Sequence, residues 1–219
     1  MFYQAFIFDF DGVLADSVEV KTRAFAKLFE RYGPAIVAKV VEHHRNNGGM
    51  TRVDKFHHYY REFLGKQLDE AELQRLCNDF SRLVVDEVVS ASEIPSAKNF
   101  LEKWYEKVNC FVVSATPDDE ISVIVERRGL KRYFREIMGS SKSKQENVRV
   151  LMEKYGLEPA RCVFFGDAES DYRAAEECEM DFVGIVPGPD APLLKVAPEI
   201  RWVRDFVGMD LGKFMGRPG

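Results

Sequence analysis

The sequence predicts an α/β protein, with a parallel sheet covered on both faces by helices and a helical segment inserted near its start. Three observations lead there. The chain opens on a short apolar strand, Phe6-Ile7-Phe8, that runs into two acids and a glycine, Asp9, Asp11 and Gly12. Residues 35–92 carry helical spacing and almost no strand signal. After residue 94, buried strands and helices alternate, which is the order that builds a parallel sheet with both faces covered.

Taken in order, Ser17 reads as an N-cap, and Phe25, Leu28 and Phe29 recur at helical spacing before Gly33-Pro34 stops the helix. Val37, Val40 and Val41 continue the pattern up to a polar break at Asn46-Asn47-Gly48-Gly49. Phe56, Tyr59, Tyr60, Phe63 and Leu64 form the next apolar stripe. Beyond Gly65, Leu73, Leu76, Phe80, Leu83 and Val84 form another. Pro95 starts a helix through Leu101 and Trp104. Cys110-Phe111-Val112-Val113-Ser114 is the second buried strand, and Thr116-Pro117-Asp118-Asp119 opens a helix with acids in its first turn, ending near Gly129. Ile137-Met138 is a weak strand signal. A helix over 144–155 ends at Gly156, Val163-Phe164-Phe165-Gly166 is a strand, 172–178 a helix, and Phe182 to Val186 a further strand. Residues 212–219 are expected to fray.

At 219 residues the chain is long enough for one large domain or for a core with a smaller insert. Hydrophobic residues at 46% and charged residues at 31% describe a globular protein, and a net charge of -5 leaves no electrostatic footprint for nucleic acid. No apolar run approaches the roughly 18 residues that span a bilayer. The N-terminus starts on strand-like sequence without a basic leader, so a cytosolic protein with no membrane partner is expected. Cys77, Cys110, Cys162 and Cys178 are dispersed and read as reduced structural thiols. His43-His44 and His57-His58 are adjacent pairs that face different ways on a helix, which argues against chelation and for surface or packing roles.

Each of the buried strands described first, second and fourth ends in polar residues suited to phosphate chemistry. Asp9 and Asp11 at the first can divide the work, one holding a divalent cation and attacking phosphorus, the other moving a proton. Ser114 offers a hydroxyl at the second, where the Ala115-Thr116 turn can aim N–H groups at an anion. Asp167 and Asp171 follow Gly166 and can reach one hard cation. Lys144 and Lys142 are both cationic residues before the helix that ends at Gly156.

These segments resemble the haloacid dehalogenase superfamily of aspartate-nucleophile phosphohydrolases. Asp9-Phe10-Asp11-Gly12-Val13-Leu14 matches its D-x-D-G-[VT]-[LI] pattern. Val113-Ser114-Ala115-Thr116 is similar to the strand-closing Ser/Thr motif, and Gly166-Asp167-Ala168-Glu169-Ser170-Asp171 to G-D-x-x-x-D. The lysine motif differs from the Lys-Pro of many relatives; the distance to Gly156 favours Lys144 over Lys142. Gly49-Met50-Thr51-Arg52 resembles the G-x-[ST]-R cap segment of some members, including β-phosphoglucomutases.

The resemblance covers nearly the whole chain and implies a Rossmann-like, doubly wound parallel core over 1–16 and 93–219, with a helical cap over 17–92. It implies Mg²⁺-dependent hydrolysis of a small phosphorylated metabolite. Asp9 is then the nucleophile, Asp11 the acid and base, Ser114 and Lys144 the stabilisers of the phosphoryl group. Asp9, Asp11 (through its carbonyl), Asp167 and Asp171 (through water) hold the metal, and Gly12, Ala115 and Arg52 bind substrate. A sugar phosphomutase would use the same core, and a silent binding module is the non-enzymatic alternative. The chain is expected to be a monomer or homodimer.

Overall fold

The structure is a computed structural model that describes residues 3–211. Six parallel strands form its sheet: β1 (Ala5–Phe8), β2 (Asn109–Val113), β3 (Glu136–Met138), β4 (Cys162–Gly166), β5 (Asp181–Ile185) and β6 (Arg201–Val203). Their spatial order is β3-β2-β1-β4-β5-β6, so the chain starts at the middle of the sheet and winds outward in both directions. Ile7 sits in register with Phe111 on one side and Phe164 on the other. The C-terminal ends of β1, β2 and β4 are therefore adjacent, which is where open parallel sheets bind ligands.

Side-chain alternation along β1 divides the interior in two. Phe6 and Phe8 face a layer that includes Val112, Phe165 and residues of α5 (Ala97–Trp104) and α6 (Asp118–Arg127). Ala5 and Ile7 face Phe111, Val113 and Phe164, covered by α7 (Lys144–Tyr155) and α8 (Glu169–Glu177). The Phe8 and Phe165 rings stack with centroids 4.9 Å apart. Such dense burial on both sides explains why the strands read as continuous apolar runs.

Between β1 and β2 the chain builds α1 (Val18–Phe29), α2 (Pro34–Asn46), α3 (Arg52–His58) and α4 (Glu70–Ser90). A wide π turn, Tyr59–Phe63, extends α3. Phe25, Phe29, Phe56, Tyr59 and Phe80 converge from these helices into one buried cluster. A short helix α9 (Pro192–Val196) precedes β6.

Ser17 stands at the N-cap position of α1, as its sequence context predicts, but caps nothing: its hydroxyl donates to Asp11 Oδ1 at 2.6 Å. The edge strand β6 was not expected, because Arg201-Trp202-Val203 is only three residues long and carries no apolar run. Residues 212–219, expected to fray, lie outside the described residues. All four cysteines are free, and no described helix is long and apolar enough to cross a membrane.

Candidate active site

A cavity lies between the C-terminal edge of the sheet and the helical insert. Asp9, Asp11 and Asp167 form its floor, Ala115 and Thr116 one wall, and Met50, Arg52, Lys55 and Phe80 belong to the insert above. Asp9 lies one residue beyond β1, tethered by its N–H to the Phe165 carbonyl at 2.9 Å. Its Oδ1 accepts the Phe10 N–H at 2.7 Å. Between the two acids and α1 the backbone turns sharply at Gly12, with φ +79°. A Cβ there would stand 2.4 Å from Asp167 Oδ2, so only glycine lets the β1 loop approach the β4 loop this closely.

Asp9, Asp167 and Asp171 place carboxylate oxygens within 4.8 Å of one another, a set of hard donors suited to a hard divalent cation. No histidine belongs to this group among the described residues. Burial raises the Asp9 carboxyl most, against the pull of Lys144 and with a further push from Asp171 and Asp11, leaving it at about 7. Burial also holds Asp167 well above the usual carboxylate range, reinforced by Asp9 and Asp171. Acids set this close resist joint ionisation unless positive charge joins them.

Lys144 is that charge in the protein itself. Its ammonium lies 2.9 Å from Asp9 Oδ2 and 2.5 Å from Asp171 Oδ1. Ser143 caps α7 through a reciprocal pairing with Glu146, which fixes Lys144 at the first helical position and turns it inward. Burial lowers its proton affinity, but Asp171 and Asp9 outweigh that and raise it overall. Lys142 is exposed. Asp171 is fully buried and also accepts the Ala168 N–H at 3.1 Å, so it is held directly by protein groups.

Asp11 is built differently. Ser17 donates to Oδ1, while Lys21 Nζ and Thr116 Oγ1 meet Oδ2, the latter at 3.3 Å. Burial works against ionisation, yet Lys21, Ser17 and Thr116 together hold this carboxyl below the ordinary carboxylate range. Two carboxyls two positions apart are thus pushed in opposite directions, burial favouring the protonated form of Asp9 and the contacts of Lys21, Ser17 and Thr116 favouring the ionised form of Asp11.

The remaining predicted residues are placed as follows. Ser114 is buried just below the wall, its Oγ accepting the Thr116 N–H at 3.2 Å, and Ala115 faces the cavity. Gly12 gives its N–H to the Ala15 carbonyl at 2.8 Å, so its role is close backbone approach and its N–H is not offered to an anion. Arg52 faces the cavity, but both arms of its fork grip Glu120 of α6, at 2.7 and 2.6 Å, and Ser81 takes a further contact at 2.8 Å. His43 stacks on His58 at 4.1 Å, whereas His44 points inward to Lys55.

Sequence reasoning missed Lys21, Lys55 and Glu120, and of Thr116 it named the backbone N–H but not the hydroxyl that meets Asp11. For Lys21 a signal existed: it lies four residues after Ser17, hence on the same face of α1 as the residue that begins the helix beside Asp11.

The chain is 25% identical over 208 residues to a phosphoglycolate phosphatase of Haemophilus influenzae, covering 90% of this chain and 92% of that protein. It is 23% identical to the validoxylamine A 7'-phosphate phosphatase of Streptomyces hygroscopicus subsp. limoneus, over 91% of this chain and 97% of the relative. Its fold superimposes on the crystal structure of a β-phosphoglucomutase from Clostridium difficile with a TM-score of 0.78 at 22% identity, covering 98% and 96% of the two chains. The family model described as haloacid dehalogenase-like hydrolase matches residues 6–185. With that match spanning most of its length, the chain belongs to the haloacid dehalogenase-like hydrolase family.

Proposed function

We propose that this phosphatase of the haloacid dehalogenase-like family hydrolyses a small phosphomonoester through an aspartyl phosphate on Asp9. The observation that carries the reading is the convergence of Asp9, Asp11 and Asp167 on one cavity floor, with Lys144 braced between Asp9 and Asp171. An Asp9 carboxylate oxygen forms a bond to phosphorus as the bond from phosphorus to the alcohol oxygen breaks, and Asp11 gives that oxygen a proton. Water then attacks phosphorus, passing a proton back to Asp11 and releasing Asp9 and inorganic phosphate. Asp11 is held here as the carboxylate, the form that accepts the proton from water; to act first as an acid it takes up a proton. Lys144, the Ser114 hydroxyl and the Ala115 N–H support the charge on the phosphoryl oxygens.

The acidic cluster fits Mg²⁺, which Asp9, Asp167 and Asp171 would hold with the Asp11 carbonyl. Bound there, it would supply positive charge that favours the ionised acids and offsets the phosphoryl oxygens. This reading predicts a pH signature in the metal-free protein. Asp9 in the fold sits near 7, above its ordinary 3.8, so the folded state binds that proton more tightly than the unfolded chain. The stability it contributes is complete below about 4 and is lost as pH rises towards 7. Thermal melting in EDTA should therefore fall across that window, and Mg²⁺ should raise the melting temperature more at pH 8 than at pH 5. Equal Mg²⁺ effects at both would refute the metal assignment.

The activity test is release of inorganic phosphate from p-nitrophenyl phosphate and from a panel of phosphorylated metabolites, with Mg²⁺ and then with EDTA. Metal-dependent release without a bisphosphate activator is the expected result. A bisphosphate requirement would indicate a mutase, and silence on every ester would refute catalysis.

A further inference from the structure

Three cationic side chains of the insert line the cavity, and two of them are already matched. Lys21 holds Asp11, and Arg52 holds Glu120. The third, Lys55, is 2% exposed and has no carboxylate within ion-pair distance among the described residues. Its Nζ meets only a neutral partner, His44 Nδ1, at 2.9 Å, and stands 5.5 Å from the centre of the Phe25 ring. Burying an ammonium without a paired carboxylate is costly, and burial with the neighbouring Lys21 pushes Lys55 down to about 7, so an anion bound beside it would restore its full charge and be held by it.

The local fold makes this placement deliberate. Thr51 caps α3 by accepting the Asp54 N–H at 3.2 Å, which fixes the start of the helix at Arg52. Arg52 and Lys55 then lie one turn apart on the face turned towards the core. The Gly48-Gly49 turn lets the chain press on the first turn of α8: a Cβ on Gly49 would fall 1.7 Å from Ser170 Oγ. Lys55 is thereby brought over the same cavity whose floor holds Asp9 and Asp167.

We propose that Lys55, oriented by His44, is the specificity residue that receives an anionic group on the alcohol portion of the substrate, and that this group is a carboxylate. The substrate class is then a short phosphorylated hydroxy acid. A single ammonium beside a neutral imidazole matches one negative charge, whereas a second phosphoryl group would bring more charge than this end of the cavity can balance. Phe25, Phe80 and Met50 surround the position with apolar surface, which suits a compact planar anion and removes water that would weaken the pairing. Burial holds His44 at about 3, so its ring stays neutral and accepts from Lys55. Arg52, with its fork closed on Glu120, leaves this task to Lys55.

This inference rests on the phosphatase reading, and one pair of substrates separates the two. 2-Phosphoglycolate and ethyl phosphate share a skeleton and differ in a carboxylate against a methyl group. In Mg²⁺ the wild-type chain should favour the acid in kcat/KM by roughly ten- to hundred-fold, the size of a charge-assisted contact. Lys55→Met keeps the length and removes the charge, and it should bring that preference to within about threefold. The wild-type ratio decides the matter even if the variant folds poorly. Hydrolysis of both esters with equal efficiency by the wild type, or an undiminished preference in Lys55→Met, would overturn the assignment while leaving the phosphatase standing. Failure of the wild type to hydrolyse either ester, or p-nitrophenyl phosphate, would overturn both.

Discussion

Asp9→Asn should reduce kcat by at least about 10⁴-fold on every phosphomonoester, the scale on which enzymes lose activity when their nucleophile is removed. A carboxamide neither attacks phosphorus effectively nor serves a hard cation well. The fold should survive, because Asn preserves the shape of a side chain that is buried between Phe10 N–H and Lys144. Removing one of three crowded acids also relieves their mutual repulsion. Steady-state kinetics with circular dichroism on the same samples tests both parts; near-native turnover in a folded Asp9→Asn protein would end the covalent mechanism.

Lys144→Ala should be damaging in two separable ways. Kinetically, loss of the ammonium beside the phosphoryl position should lower kcat by about 10²- to 10³-fold, alike for p-nitrophenyl phosphate and for metabolite esters, because all share that group. Thermodynamically, Asp9, Asp167 and Asp171 would be left together without the ammonium that pairs with two of them, and opening a buried pair of this kind costs about 3–5 kcal/mol. The deficit, read by urea denaturation in EDTA, should shrink as pH falls from 8 to 5, since Asp9 and Asp167 then gain protons that the fold binds more tightly than the unfolded chain. A harmless Lys144→Ala beside a crippling Lys142→Ala would show that the exposed lysine, and not the buried one, does the chemistry.

Much of this architecture was legible from the residues, and the reason is how each signal is generated. β1, β2 and β4 are covered on both faces, so burial alone forces them to be apolar, and the acids that end the first and fourth stand out by contrast. The helix Lys144–Tyr155 was readable to the residue because both its ends are chemically marked, by Ser143 with Glu146 and by Gly156 at φ +59°. β6 was not, since an edge strand of three residues needs only neighbouring backbone to pair with. The ion pairs were harder still. Glu120 lies 68 positions from Arg52, and Thr116 lies 105 from Asp11, and no periodicity or spacing encodes a partner at such separation. Arg52 shows the consequence: its type and place suggested an anion reader, and only the fold reveals that the anion it reads is part of the chain.

The Arg52–Glu120 grip joins the inserted helices to α6 of the sheet layer, and any parting of the two must hydrate both charges. Water recovers most of what the separated ions lose, so the pair adds little to the strength of this contact. What it adds is direction. A planar fork seats on a carboxylate in very few orientations, so the two layers can meet in one alignment and not in neighbouring ones a few degrees away. The contact therefore works as a keyed joint: it fixes the angle at which the inserted helices meet α6, and with it the position of Lys55 over the cavity floor.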